Sequence, residues 1–155
     1  MILLYRGTRD GSGANIFHNK CDNQGSTICL CKNEKNNIFG GYSSISWTSP
    51  SKWCYKPANG SFLFTLTNIH NTPPTKYPNT QNQDKSVQHN KDCGPRFGNG
   101  NDLEINNDYL NNNSSNAWIG AAYPDILGKG NSIFSGDLKT NHFKLKELEV
   151  FKLLN

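Results

Sequence analysis

The stretch from Asn37 to Ser49, NIFGGYSSISWTS, alternates its apolar and aromatic residues with small polar ones. A period of two, with β-branched and aromatic residues, is typical of a β-strand. Gly40 and Gly41 lie inside this run, where glycine costs backbone entropy and usually marks a bulge or the close approach of another group. The sequence therefore predicts a long, bent, central strand over Asn37–Ser49 with a crowded neighbour.

The length of the chain, 155 residues, is that of one ordinary domain, and we expect residues 1–155 to form a single domain. Hydrophobic residues make up only 34%, and asparagine is concentrated in the segments that read as loops. The aromatic content of 11% argues against a disordered chain.

The net charge of +4 is spread over scattered lysines, and the arginines are Arg6, Arg9 and Arg96. Because nucleic-acid binding calls for a stripe of basic residues interleaved with aromatics, we expect no nucleic-acid partner. The apolar start Met1-Ile-Leu-Leu is shorter than a signal-peptide core, and no apolar run approaches the ~18 residues of a membrane helix. We therefore expect a cytoplasmic monomer without membrane insertion.

The cysteines are five in number, and in the absence of a signal peptide they indicate reduced thiols. Cys29 and Cys31 share one face of a predicted strand, and no second cysteine pair follows with metal-site spacing. Cys93 lies close to Arg96, and a nearby cation can lower the pKa of a thiol. Cys93 is therefore the candidate reactive thiol.

Motifs of catalysis are missing from the sequence. The four histidines have no H-E-x-x-H context, and no G-x-S-x-G occurs. The residues favour a non-catalytic protein over an enzyme, with no catalytic, cofactor-binding or metal-binding residues expected.

An amphipathic helix is predicted near the N-terminus, because Ala14, Phe17, His18 and Cys21 follow the i, i+3, i+4, i+7 pattern. Thr8 or Asp10 is its expected N-cap.

Strands are predicted over much of the remaining chain. In Ser61–Thr67 we expect Phe62, Phe64 and Leu66 to face the core. In the last strand the buried parity changes at Lys146–Glu147, which predicts a β-bulge. We expect long loops over Asn68–Lys85 and Tyr109–Asn131, the second anchored by Trp118 and Tyr123. With one helix and about seven short strands at hairpin spacing, the sequence predicts a mainly β fold, a β-sandwich with a small helical complement.

Short motifs follow one another along nearly the whole chain: LYRGTRDG, FHNKCD, IFGGY, WTS, FLFTL, GPRFG, DLEI and a terminal EVF. Taken together and in this order, the motifs resemble those of the TLDc domain family. The positions that carry the resemblance, with a structural or interaction role implied, are Asp10, Gly11, Phe17, Cys21, Gly40, Gly41, Tyr42, Trp47, Gly94, Pro95, Phe97, Gly98, Glu149, Val150 and Phe151.

The resemblance implies a sandwich of two antiparallel sheets flanked by helices. It also implies a link to protection against oxidative damage and to binding of the vacuolar-type proton ATPase. No established active site comes with the family.

Three functions follow as hypotheses. The first is a non-catalytic protein-interaction domain that binds vacuolar-type ATPase subunits. The second is a thiol-dependent redox enzyme that scavenges peroxide through Cys93 or another exposed thiol. The third is a lectin-like binding module, for which Trp53, Trp118 and the polar loops are the only support.

Overall fold

The computed structural model describes residues 1–154. The fold contains two antiparallel sheets of six strands each. The strands are β1 (Ile2–Arg6), β2 (Thr27–Asn33), β3 (Ile38–Ser43), β4 (Cys54–Lys56), β5 (Phe62–Thr67), β6 (Thr75–Pro78), β7 (Val87–His89), β8 (Arg96–Phe97), β9 (Leu103–Glu104), β10 (Ser115–Asn116), β11 (His142–Phe143) and β12 (Leu145–Lys152). Sheet 1 has the order β1-β12-β2-β3-β5-β6, and sheet 2 has the order β11-β10-β9-β8-β7-β4. The predicted mainly β, two-sheet antiparallel sandwich is confirmed.

The helices are α1 (Gly7–Asp10), α2 (Ala14–Cys21) and α3 (Ser132–Ser135), and a 3₁₀ turn spans Gln83–Lys85. Helix α2 is the predicted amphipathic helix, and its four apolar-face residues are buried. The predicted cap is wrong: the N-cap is Gly13, and the Ala14 N–H donates to Asn107 Oδ1 at 2.8 Å. A distant loop supplies this acceptor, so local sequence could not reveal it.

The central strand is shorter than predicted, because β3 ends at Ser43 rather than Ser49. The Ser43 hydroxyl donates to the Ile45 carbonyl at 2.8 Å, which turns the chain out of the sheet. Trp47 then forms an isolated parallel bridge with Asp22 and buries its ring in the core.

The two glycines of β3 face opposite sides of sheet 1, and both are crowded, as predicted. A Cβ atom on Gly41 would lie 2.6 Å from Phe97 Cζ of the opposing sheet. A Cβ atom on Gly40 would lie 2.9 Å from Phe64 Cζ on the outer side. Gly41 therefore allows the sheets to approach, and Gly40 allows an aromatic ring to lie on the outer surface.

The side-chain directions of β5 are opposite to those predicted. Gly41 pairs with Leu63, and both face Phe97 in the core. The inward residues of β5 are therefore Leu63 and Thr65, both fully buried, whereas Leu66 is 43% exposed. Phe62, Phe64 and Leu66 point away from sheet 2, since the side-chain period of a strand is two.

The end of the chain confirms the predicted bulge. The register between β12 and β2 shifts between Leu145 and Glu147. Before the bulge, Phe143 belongs to β11 in sheet 2, so the predicted single last strand is divided between the sheets. Phe143 and Leu148 are both fully buried, which ties both sheets to the core.

The long predicted loops contain further structure. Strand β6 lies within residues 68–85, and β10 lies within residues 109–131. Tyr123 anchors the second segment, since it is fully buried and donates to the Ser86 carbonyl at 2.7 Å. Trp118 does not anchor it, because 51% of this residue is exposed. The buried Asp102 carboxylate instead accepts hydrogen bonds from the backbone N–H groups of residues 120–123.

We expect Gly41→Val to lower the free energy of unfolding by more than about 2 kcal/mol, because the added atoms would overlap the Phe97 ring. Thr67→Val, which places the same side chain at an exposed end of β5, should change it by less than about 0.5 kcal/mol. Urea unfolding followed by tryptophan fluorescence measures both. Equal effects of the two changes would contradict the contact.

Candidate functional site

An apolar groove of about 390 Å³ lies on the outer face of sheet 1, on the side away from sheet 2. We call it the outer groove; its lining is Met1, Ile28, Leu30, Phe62, Phe64, Leu66 and Phe151. A contiguous exposed apolar surface on a small protein commonly marks an interaction site. The outer groove is therefore the candidate functional site.

The register of sheet 1 explains why these residues meet. Phe151 pairs with Ile28, Ile28 with Tyr42, and Tyr42 with Phe62, so one apolar row crosses four neighbouring strands. The Tyr42 and Phe62 rings lie 5.1 Å apart. A single row of side chains on one face follows from the ladder, because directly paired residues point to the same side of a sheet.

A second row runs beside the first. Leu30 pairs with Gly40, and Gly40 pairs with Phe64. Because Gly40 has no side chain, the Phe64 ring lies against the backbone of β3 and is only 8% exposed. Phe64 is thus the floor of the outer groove.

Charged side chains border the outer groove. Glu149, which pairs with Leu30, is held by Arg6 at 2.6 Å. Lys76, which pairs with Phe64, places its Nζ 4.0 Å from the centre of the Phe62 ring, a cation–π contact. Lys32 follows Leu30 on the same face of β2 and is exposed. Among residues 1–154, neither Lys32 nor Lys76 has a carboxylate within 4.0 Å.

Sequence reasoning missed most of this surface. Phe62, Phe64 and Leu66 were assigned to the core, and Ile28 and Leu30 were not assigned to a site. The even positions of Ser61–Thr67 are all apolar, whereas Leu63 is the only apolar residue at the odd positions, so the alternation favours the face that is in fact turned outward. The available signal is Gly41, whose partner Leu63 must share the face that meets the other sheet.

The family-motif residues divide between the core and the outer face. Gly40, Tyr42, Glu149 and Phe151 lie on the outer face of sheet 1, whereas Phe17, Cys21, Gly41, Trp47, Phe97 and Val150 are inward or buried; Asp10, Gly11, Gly94, Pro95 and Gly98 lie in turns or at the ends of elements. Most of the motif residues therefore belong to the core or to turns, and four of them lie on the outer face of sheet 1, where the outer groove is found.

The turn residues of the motifs have visible structural roles. The Arg9 guanidinium beside Asp10 holds the pKa of that carboxyl well below its usual range. The Gly11 carbonyl accepts the Tyr5 hydroxyl at 2.7 Å. Gly98 adopts a φ of +87° against the Asp102 carboxylate, a conformation that favours glycine.

Cys93 is buried, with 8% of its surface exposed. Burial raises the pKa of its thiol, and although Arg96 opposes this shift, the guanidinium is already paired with Glu104 at 2.8 Å. These surroundings disfavour a thiolate. Arg96 Nη1 does lie 3.8 Å from Cys93 Sγ and lowers the pKa of the thiol, as expected, but the effect of burial is larger. The reactivity of Cys93 stays a prediction.

A polar cleft of about 440 Å³ lies beside α2, lined by Asn15, His18, Asn19, Asp22, Ser49, Lys91 and Asp92. His18 Nδ1 lies 2.8 Å from Asp22 Oδ1, and its Nε2 lies 2.9 Å from the carbonyl oxygens of Asn90 and Cys93. Ser49 donates to Asp22, so its hydroxyl faces the carboxylate rather than the imidazole. A serine nucleophile needs the imidazole as its base, and Ser49 does not contact it. The hydrogen bonds of His18 and Asp22 instead connect α2 to the loops that contain Asn90, Cys93 and Ser49.

The exposed tryptophans lie near opposite edges of sheet 2. Trp53, which is 52% exposed, precedes the edge strand β4, and Trp118 follows β10 near the other edge. They do not form a joint aromatic platform of the kind that a sugar ring would use.

Metal-ligand clusters and membrane-spanning helices are both absent from residues 1–154. No group of three or more histidine, cysteine or acidic side chains is arranged to hold a metal ion. No helix in this part of the chain has the length and hydropathy needed to cross a bilayer.

The fold and the surface define a two-sheet β-sandwich domain with an exposed apolar outer face. The family model of the TLDc domain matches residues 1–154, nearly the entire chain, and the chain belongs to this family. No curated protein matches the chain.

We expect Cys93 to react with iodoacetamide at least about tenfold more slowly than Cys54 at pH 7.5, because Cys93 is buried with a raised pKa and Cys54 is only half-buried. Peptide mass spectrometry after timed alkylation measures both rates in one sample. Preferential alkylation of Cys93 well below pH 8 would instead favour the redox hypothesis.

We expect His89 to make the protein less stable in acid. Burial, followed by the field of Lys56, lowers the pKa of His89 to about 4 from about 6.5 in the unfolded chain. Between these values the unfolded state binds more protons, so stability is lost as the pH falls from about 6.5 to about 4. His89→Phe should flatten this part of the urea midpoint profile, whereas His142→Phe, at an exposed position, should not.

Proposed function

We propose that this chain is a non-catalytic protein-interaction domain that binds a vacuolar-type proton ATPase through the outer groove. The observation that carries the proposal is the uninterrupted apolar lining of the groove on an exposed sheet face. Membership of the TLDc domain family supplies the proposed partner.

The groove has the composition of an interface rather than of a surface turned to water. Aromatic side chains, which are enriched in the energetic centres of interfaces, are three of its seven lining residues: Phe62, Phe64 and Phe151. Charged residues stay at its border, where Lys76 and the Glu149–Arg6 pair lie. An apolar centre with a charged rim is the usual anatomy of a protein–protein contact.

The rigidity of this surface also favours binding. Six of its seven lining residues lie on hydrogen-bonded strands of sheet 1 rather than on loops, and Phe64, its floor, packs at Gly40. Ordering side chains on binding costs about 0.5–1.5 kcal/mol each, so a preformed surface loses less of its contact energy.

A cytoplasmic location is part of the proposal. The five cysteines are all free thiols in the structure, which accords with a reducing compartment.

Binding is tested with purified vacuolar-type ATPase and its detached soluble sector, by co-sedimentation with the wild-type domain under reducing conditions. We expect saturable binding that Leu66→Ser weakens at least about tenfold, because Leu66 is an exposed part of the groove. Leu138→Ser, which removes the same side chain from an 80% exposed position elsewhere, is the matched control and should bind as the wild type does.

Failure of the wild-type domain to bind either form of the ATPase would refute this partner. Binding that Leu66→Ser and Leu138→Ser leave equally intact would place the interface away from the outer groove.

A further inference from the structure

We infer that the outer groove receives an amphipathic α-helix whose apolar stripe is flanked on both sides by acidic residues. The inference rests on the proposed interaction function and specifies the chemistry of the segment that docks. The inference depends on the placement of charges around the apolar surface and does not depend on which protein carries the docked segment.

The dimensions of the central part of the groove fit one helix. Strands β3 and β5 are six residues each, about 20 Å, which is the length of a helix of about 13 residues. From β2 to β6 the sheet spans three strand spacings, about 14 Å, and a helix with its side chains is about 10–12 Å wide. A helix that lies along β3 and β5 would therefore have β2 on one side and β6 on the other.

The apolar floor lies directly under such a helix. Phe62, Phe64 and Leu66 come from β5, Tyr42 comes from β3, and Leu30 borders them on β2. Apolar side chains at i, i+3, i+4 and i+7 of a helix form one stripe and would bury against this floor.

Each flank of this floor carries an ammonium group without a carboxylate partner within 4.0 Å in residues 1–154. Lys32 stands on β2, where the register places it opposite Glu147 of β12 without an ion pair within 4.0 Å in the described part of the chain. Lys76 stands on β6 with its Nζ over the Phe62 ring. Acidic side chains on the flanks of a docked helix would meet both, whereas basic flanks would meet like charge.

The acidic groups of the same face do not reverse this preference. Glu149 is paired with Arg6, and Glu147 accepts hydrogen bonds from the backbone and hydroxyl of Thr8. Both lie on β12, beyond β2 from the proposed helix position. Both carboxylates are therefore engaged by the N-terminal segment of the chain, although Glu147 lies opposite Lys32 in the register. The ammonium groups of Lys32 on β2 and Lys76 on β6 remain on the two sides of the proposed helix.

The probes are two synthetic 14-residue amphipathic helices, capped at both ends, with an identical leucine stripe. One has glutamate on both flanks of the stripe and the other has lysine. Fluorescence anisotropy with the intact domain should give at least about tenfold tighter binding of the glutamate peptide at low ionic strength, with the difference shrinking as salt is added.

Charge reversal on the domain provides the specific control. The double variant Lys32→Glu/Lys76→Glu should reverse the preference and favour the lysine peptide. Lys129→Glu/Lys139→Glu changes the net charge equally at exposed loop positions and should keep the wild-type preference. Leu66→Ser should weaken both peptides, and Leu138→Ser should weaken neither.

Equal binding of the two peptides, or no binding of either, would overturn the inference. Dimers in analytical ultracentrifugation that Leu66→Ser abolishes would assign the groove to a second copy of this chain. If the wild-type domain binds anionic vesicles more tightly than it binds the peptides, and Leu66→Ser abolishes vesicle binding, the outer groove would be assigned to lipid. Charge-selective peptide binding without ATPase binding would uphold this inference and refute the proposed partner. ATPase binding without charge-selective peptide binding would uphold the proposed partner and refute this inference.

Discussion

The contact between the Gly41 backbone and the Phe97 ring is the constraint on which the packing of the two sheets depends. A side chain at Gly41 would occupy the position of that ring, and Phe97 in turn meets Trp47 at a centroid distance of 5.4 Å and Tyr123 at 6.3 Å. These rings fill the space between the sheets, and because protein interiors are close-packed, an added Cβ would displace several of them. The position is therefore restricted by both its strand geometry and its neighbour.

The neighbouring glycine has the opposite effect on the other side of the same strand. Because Gly40 faces outward, the Phe64 ring packs against β3 and is only 8% exposed, beside the half-buried Phe62 and the exposed Leu66. Burying apolar surface stabilises by roughly 25 cal/mol per Å², so the apolar surface that remains exposed here forgoes stability that burial would restore. Gly41 thus allows the close packing of the core, and Gly40 allows the apolar packing on the outer face.

The class of fold was predictable from the sequence because alternation, helix periodicity and turn residues are local signals. Helix α2 and the parity change at Lys146–Glu147 follow from such signals, and both are confirmed. Features that depend on distant partners were not predictable. The cap on α2 comes from Asn107, and the loop at 120–123 is ordered by Asp102.

The candidate site was less predictable than the fold for the same reason. The face that β5 presents to solvent depends on its register with β3, and the local alternation of this segment favours the opposite face. The proximity of Cys93 to Arg96 is predictable from the sequence, and Arg96 Nη1 lies 3.8 Å from Cys93 Sγ in the fold. The burial that raises the pKa of this thiol depends on distant segments and is not predictable in the same way.

The central claim is that the outer groove, rather than the polar cleft beside α2 or the exposed tryptophans, meets the partner. Hydroxyl-radical footprinting of the domain, free and bound to the vacuolar-type ATPase, reports on side-chain exposure directly. We expect that oxidation of Phe62, Leu66 and Phe151 slows in the complex while oxidation of Trp118 and Leu138 does not. Protection of Trp118 or of the α2 cleft, with Phe62 and Leu66 still oxidised at the free rate, would contradict it.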